Sequence, residues 1–154
     1  MLRINRETDY ATAILSLMAR QPQERYSAAW LSSKRSLPAP VVSKILKQLV
    51  RAEVLVSHRG AKGGYSLARP AEDISIAAVI NAIEGPIALT DCIEGGNAAC
   101  QYSAHCAVSH NWSRINDVFQ TALEAVSLKD MSAPLPAEHP SLRALGERVK
   151  TAVS

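Results

Sequence analysis

Residues 40–69, PVVSKILKQLVRAEVLVSHRGAKGGYSLAR, constrain the fold more than any other stretch of this chain. Pro40 has a fixed φ that suits the first turn of a helix. Val41, Ile45, Leu46, Leu49 and Val50 then recur at helical spacing and make an inner stripe, while Ser43, Lys44, Lys47, Gln48 and Arg51 face out. The period changes directly afterwards. VLVS and YSLA are short apolar runs separated by HRGAKGG, which reads as a β-hairpin with a glycine-rich, basic tip.

The flanking segments supply helices to complete a core. TDYATAILSLMAR carries Tyr10, Ala11, Ile14, Leu15, Leu17 and Met18 on one face, with Asn5 or Thr8 as cap and Glu7 and Asp9 near the positive helix end. Pro22 breaks it. SAAWLSSKRS begins at a capping Ser27 and ends near Ser36, and LPAP turns the chain, because each proline disfavours helix just before itself. After the hairpin, Ser75 caps IAAVINAIEG, which stops at Gly85-Pro86. Helix–turn–helix followed by a basic hairpin is the winged-helix arrangement. The expected fold class is mainly α with a small β-hairpin wing.

Val108, Trp112, Ile115, Phe119, Ala122 and Val126 recur in steps of four and three, the 3.5-residue seam by which one helix packs along another. A small winged helix has little core to cover such a stripe, so a long dimerisation helix is expected over residues 107–130. The same stripe could instead pack on its own domain. The boundaries that follow are a winged-helix DNA-binding domain over 1–85, a cysteine loop over 86–106, the dimerisation helix, and a Pro-rich linker and C-terminal tail over 131–154, where Leu142, Leu145 and Val149 suit a last short helix.

Charge divides the chain along the same line. Residues 1–69 carry twelve Lys and Arg against four acids, a balance of +8, and residues 70–154 carry five against ten, a balance of −5. A basic half suits a polyanion. An α-helix fits the major groove of DNA: Ser43 and Lys44 are placed for base edges, Lys47 and Arg51 for phosphates, and Arg59 and Lys62 sit on a tip whose glycines allow close approach. An arginine on such a tip suits a narrow minor groove. The competing use of the domain is protein contact. No apolar run approaches the roughly 18 residues of a membrane span, and no signal-peptide core precedes the first helix, so a cytoplasmic protein is expected. No nucleophile–base set appears, and GAKGG lacks the phosphate-loop pattern, so an enzyme is not expected.

All three cysteines fall in DCIEGGNAACQYSAHCAVSH, residues 91–110. In a reducing compartment clustered thiols favour metal or redox chemistry over disulfides. Cys92, Cys100 and Cys106 are spaced x7 and x5, with no C-x2-C pair of the kind structural zinc sites use. Soft thiolates on a loose loop suit an iron–sulfur cluster best; zinc and a redox thiol switch stay open. The fourth ligand is missing from the loop.

The chain resembles the IscR/NsrR-type winged-helix regulators of bacteria, including a branch that regulates the SUF system of iron–sulfur assembly. The likeness runs from about residue 1 to 130 and rests on TDYA, LPAPVVSKILKQLVRAEVLVSHRGAKGGYSLARP, ISIAAVINAIEGP and the three-cysteine loop. It implies a homodimer that reads partly palindromic promoter sites on double-stranded DNA, with Arg59 as the wing arginine. It also implies a cluster where the long helix meets the partner's DNA-binding domain. Some members take a histidine three residues after the third cysteine; here that position is Ser109, and His110 is one step too far. Others take an acid from the first helix of the partner subunit, and Asp9 of TDYA stands at that place. A histidine near the recognition region is replaced by Lys34, Arg35 and Ser36, and the x7 interval is longer than the family's usual x5. The resemblance implies a cluster held by Cys92, Cys100, Cys106 and the partner's Asp9, with His110 the alternative; His105 faces solvent or hydrogen-bonds near the cluster, and Glu94 and Asp91 are minor candidates. A 4Fe–4S form is expected ahead of 2Fe–2S. The function implied is a repressor that senses cluster status and controls iron–sulfur assembly genes. The alternatives are a nitric-oxide or redox sensor of the same family and a zinc- or thiol-based winged-helix protein.

Overall fold

Asn5, Ser27, Ser75 and Ser127 each turn a side-chain oxygen onto an amide three residues on, and each thereby starts a helix. The computed structural model describes residues 3–60, 62–91, 93 and 106–133. Among these residues six helices and one hairpin follow in order: α1 (Arg6–Met18), α2 (Ala28–Arg35), α3 (Ala39–Arg51), β1 (Leu55–His58), β2 (Gly64–Leu67), a 3₁₀ turn (Ala71–Asp73), α4 (Ile76–Glu84), α5 (Ser109–Glu124) and α6 (Leu128–Ser132). The predicted winged helix is present, mainly helical with a two-stranded antiparallel wing.

Ile14, Leu15 and Met18 of α1, Leu31 of α2, and Val42, Ile45, Leu46 and Leu49 of α3 meet Val54, Leu55, Ile74, Val79 and Leu128 in one core. The inner face of α3 keeps Ile45, Leu46 and Leu49 of the predicted stripe and differs at its two ends. Val42 is fully buried, whereas Val41 and Val50 are half-buried. Both α2 and α3 end on a left-handed non-glycine residue, Ser36 (φ 53°) and Glu53 (φ 57°). In each case the next amide reaches five residues back, Leu37 N to Ser32 O at 3.1 Å and Val54 N to Leu49 O at 2.9 Å, which closes the helix end.

The wing pairs Leu55 with Leu67 and His58 with Gly64. It is fastened to the helices by a bridge between Tyr26 and Tyr65, with both N–H···O bonds at 2.9 Å. That approach requires Gly64: at φ 142°, a Cβ there would lie 2.8 Å from the Tyr26 carbonyl oxygen. A Cβ on Gly63 would collide with the carbonyl oxygens of His58 and Gly60.

The helix predicted over 107–130 is two helices. α5 ends at Glu124, and Ser127 starts α6 with a reciprocal capping box: Asp130 N donates to Ser127 Oγ at 3.1 Å, and Ser127 N to Asp130 Oδ2 at 2.9 Å. Ile76 N to Val126 O (2.9 Å) and Leu128 N to Ile74 O (2.7 Å) stitch this corner to the start of α4. Leu128 is fully buried, a contribution of roughly 2 kcal/mol that a continued helix would forgo. Residues 127–132 therefore fold back onto the winged helix, and Val126 leaves the α5 stripe. Among the described residues no helix is long and apolar enough to cross a membrane.

Candidate DNA interface and cysteine-loop site

Lys44, Lys47 and Arg51 lie exposed along α3, and Ser43 is half-buried beside them. Arg59 and Lys62 stand exposed at the hairpin tip, where Gly63 N bonds Gly60 O at 2.9 Å and Gly60 takes φ 97°. The six predicted contacts thus occur on two elements joined through Val54 and Leu55. Lys44 differs from the expectation in one respect: its Nζ is 2.6 Å from Glu7 Oε1 of α1. Both side chains are partly exposed, so the pair is worth well under about 1 kcal/mol and gives way readily to a phosphate.

α2 adds features that periodicity alone did not single out. Trp30 is exposed, stacks on Tyr26 with centroids 4.9 Å apart, and has Lys34 Nζ 5.7 Å from its ring. Arg35 is pushed below its usual pKa by burial and then by the nearby Arg20. Its Nε is buried without a hydrogen-bond partner among the described residues.

The residues predicted for the cysteine site divide between described and undescribed segments. Cys92, Cys100, Glu94 and His105 lie outside the described residues. Cys106 is half-buried with a free thiol, at the foot of α5, where Ser109 Oγ donates to its carbonyl at 3.1 Å. His110 and Asp91 are exposed. Among the described residues no three His, Cys, Asp or Glu come together.

Asp9 is exposed in the first turn of α1. Its carboxylate takes part in no hydrogen bond or ion pair among the described residues, although Glu7 and Thr8 beside it are both engaged. It lines an open groove of ≈ 730 Å³ whose apolar walls are Ile4, Ile76, Ile80, Leu123 and Met131. The donor set fits a cluster: soft thiolates with one uncommitted oxygen at an open surface.

Three residues, Thr8, Glu84 and Asn116, hold this region together through contacts that the sequence did not single out. Thr8 is 1% exposed and donates to Glu84 Oε1 at 2.5 Å. Asn116 is the buried residue of α5, receiving Leu89 N at 3.1 Å and donating to Ile87 O at 3.1 Å. It ties the segment leading to the cysteine loop to the helix that leaves it. The start of the α5 stripe is uncovered: Val108, just before the helix, is 50%, Trp112 39% and Ile115 49% exposed, while Phe119 and Ala122 are half-buried.

A family model described as Rrf2, iron-dependent transcriptional regulator, matches residues 4–134. The HTH-type transcriptional regulator NsrR of Oceanobacillus iheyensis is 27% identical over 131 residues, covering 84% of this chain and 89% of that protein. Two solved structures share the fold. CymR (YrzC), the global cysteine regulator of B. subtilis, superposes with a TM-score of 0.64 at 24% identity, covering 86% of this chain and 97% of that one. T. potens IscR does so with 0.63 at 21% identity, covering 84% and 85%.

Proposed function

The chain belongs to the Rrf2 family of transcriptional regulators, and from that premise we propose that this DNA-binding winged-helix protein senses iron–sulfur cluster status as a homodimer. On this reading it acts in the cytoplasm as a repressor of iron–sulfur assembly genes. The observation that carries the sensing step is Asp9: a carboxylate without a partner among the described residues, on the rim of an apolar groove, beside Glu7 and Thr8, which are both engaged.

Cys92, Cys100 and Cys106 of one chain and Asp9 of the partner subunit would hold the group, 4Fe–4S ahead of 2Fe–2S. Bound there, it supplies a reactive iron site whose oxygen-ligated corner exchanges more easily than a thiolate-ligated one. The bare stripe of Val108, Trp112 and Ile115 supports dimerisation through α5. DNA reading falls to α3 in the major groove and Arg59 in the minor groove. Glu7 lies two residues from Asp9 and pairs with Lys44 of α3, and Ile14, Leu15 and Met18 of α1 share the core with Val42, Ile45 and Leu46 of α3, so a shift of α1 reaches the recognition helix. Asp9 engaged across the dimer and Asp9 released are then two states with different spacing of the recognition helices, the two-state element that coupling requires. One observation favours a second, thiol-based reading: Cys106 presents a free, half-exposed thiol.

Iron and sulfide analysis of anaerobically purified protein, with its visible spectrum before and after nitric oxide, tests the proposal. The expected result is a brown protein bleached by Cys106→Ala and weakened by Asp9→Ala. A colourless protein with about one zinc per chain overturns it.

A further inference from the structure

The first turn of α1 makes three different connections in three consecutive residues. Glu7 grips Lys44 of the recognition helix at 2.6 Å. Thr8, buried, donates its hydroxyl to Glu84 at the end of α4 at 2.5 Å. Asp9 faces the open groove. The same Glu84 Oε1 also accepts the Asn5 amide at 3.2 Å, and Asn5 Oδ1 in turn caps the helix at Thr8 N, 2.8 Å.

Glu84 is the last residue of α4, and Gly85 and Pro86 follow it into the segment that Asn116 holds at Ile87 and Leu89. A carboxylate at the C-terminal end of its own helix faces that helix's negative pole, where a cation is favoured. Its placement is unfavourable within α4 and favourable only toward the positive N-terminal end of α1, with two donors converging on one oxygen. The carboxylate therefore serves the α1 contact.

We infer that Glu84 is a positioning residue: by holding the Thr8 hydroxyl and the Asn5 amide, it sets where Asp9 is presented to the partner's cysteine loop and ties that position to the entry of its own loop. The inference rests on the cluster reading above. Both bonds use one oxygen as acceptor, so a glutamine keeps them and an alanine removes them. Thr8→Val deletes a single hydroxyl at nearly constant shape, and Thr8→Ser keeps it.

The test compares wild type with Thr8→Val, Thr8→Ser, Glu84→Ala and Glu84→Gln, each purified anaerobically. Two quantities are read: the rate at which visible absorption is lost to an iron chelator, and backbone amide exchange over α1 in cluster-free protein. Thr8→Val and Glu84→Ala are expected to release the cluster about tenfold faster and to exchange faster in the first turn of α1, the scale of one lost hydrogen bond to a charged group. Thr8→Ser is expected to stay within about threefold of wild type because the hydroxyl survives, and Glu84→Gln to release more slowly than Glu84→Ala but faster than wild type, because it keeps the acceptor and loses the charge. A cluster-bearing wild type whose Thr8→Val and Glu84→Ala variants release at the wild-type rate overturns the inference and leaves the cluster reading standing. A colourless wild type overturns the cluster reading, and this inference with it. Should Glu84→Ala fail to fold, Thr8→Val carries the same comparison.

Discussion

Arg59 stands exposed at the hairpin tip with no carboxylate paired to it among the described residues, whereas Lys44 on α3 is already paired to Glu7. Their contributions to DNA binding should therefore differ. Arg59 gives up no partner on binding; Lys44 must leave one. Arg59→Ala is expected to weaken operator binding by at least about tenfold at moderate salt and to lower the slope of log K against log salt by about one. Fluorescence anisotropy across a salt series reads both, with oligomeric state and metal content as unchanged controls; an unaltered affinity removes the wing from the mechanism. Arg59, Lys47, Arg51 and Lys62 were legible because basic residues on the outer face of a helix or at a tip have nowhere else to go. Lys44's partner was not, since Glu7 lies 37 residues away and nothing local joins them.

At the scale of elements, the helix starts were the most legible feature. A serine or asparagine bonding an amide three residues on acts within one turn, and Asn5, Ser27 and Ser75 all do what their positions predict. The inner face of α3 was legible at Ile45, Leu46 and Leu49 but not at its ends. Val41 and Val42 both lie about a turn from the Ile45–Leu46 pair, and the roll of the helix against Leu31 and Met18 decides which points inward. The glycines of the wing carry separate demands that the dipeptide alone does not distinguish. Gly64→Ala forces a Cβ onto the Tyr26 carbonyl and strains φ, while Gly60→Ala meets no atom within 4 Å and strains φ alone. Gly64→Ala is expected to cost about 2–3 kcal/mol and Gly60→Ala about 1 kcal/mol, read as shifts of the urea midpoint. Equal shifts would show that the Tyr26–Tyr65 bridge does not hold the wing.

Across the whole molecule, α5 is fixed at its C-terminal corner by Leu128 and along its length by Asn116, yet the first part of its apolar stripe, Val108, Trp112 and Ile115, stands exposed. If that stripe pairs two chains, Ile115→Glu should produce monomer in sedimentation velocity. The urea midpoint of the winged helix should remain within about 0.5 kcal/mol of wild type, because the side chain lies outside its core. A dimer that persists places the interface elsewhere. The stripe was readable as a 3.5-residue seam, but its end was misjudged: the period runs smoothly through Val126, and the capping box at Ser127 outweighs it only because Leu128 finds the core.

What the sequence by itself determined were the features whose physics acts within a few residues: helix starts, the hairpin, the basic face, and three thiols gathered in one loop. What only the tertiary structure decided were partnerships over long separations. Thr8 and Glu84 stand 76 residues apart, and Asn116 and Leu89 stand 27 apart. Neither local propensity nor periodicity bears on such pairs. Packing α1 and α5 against α4 brings them together, because a buried hydroxyl or amide without a partner costs more than the ordering that supplies one.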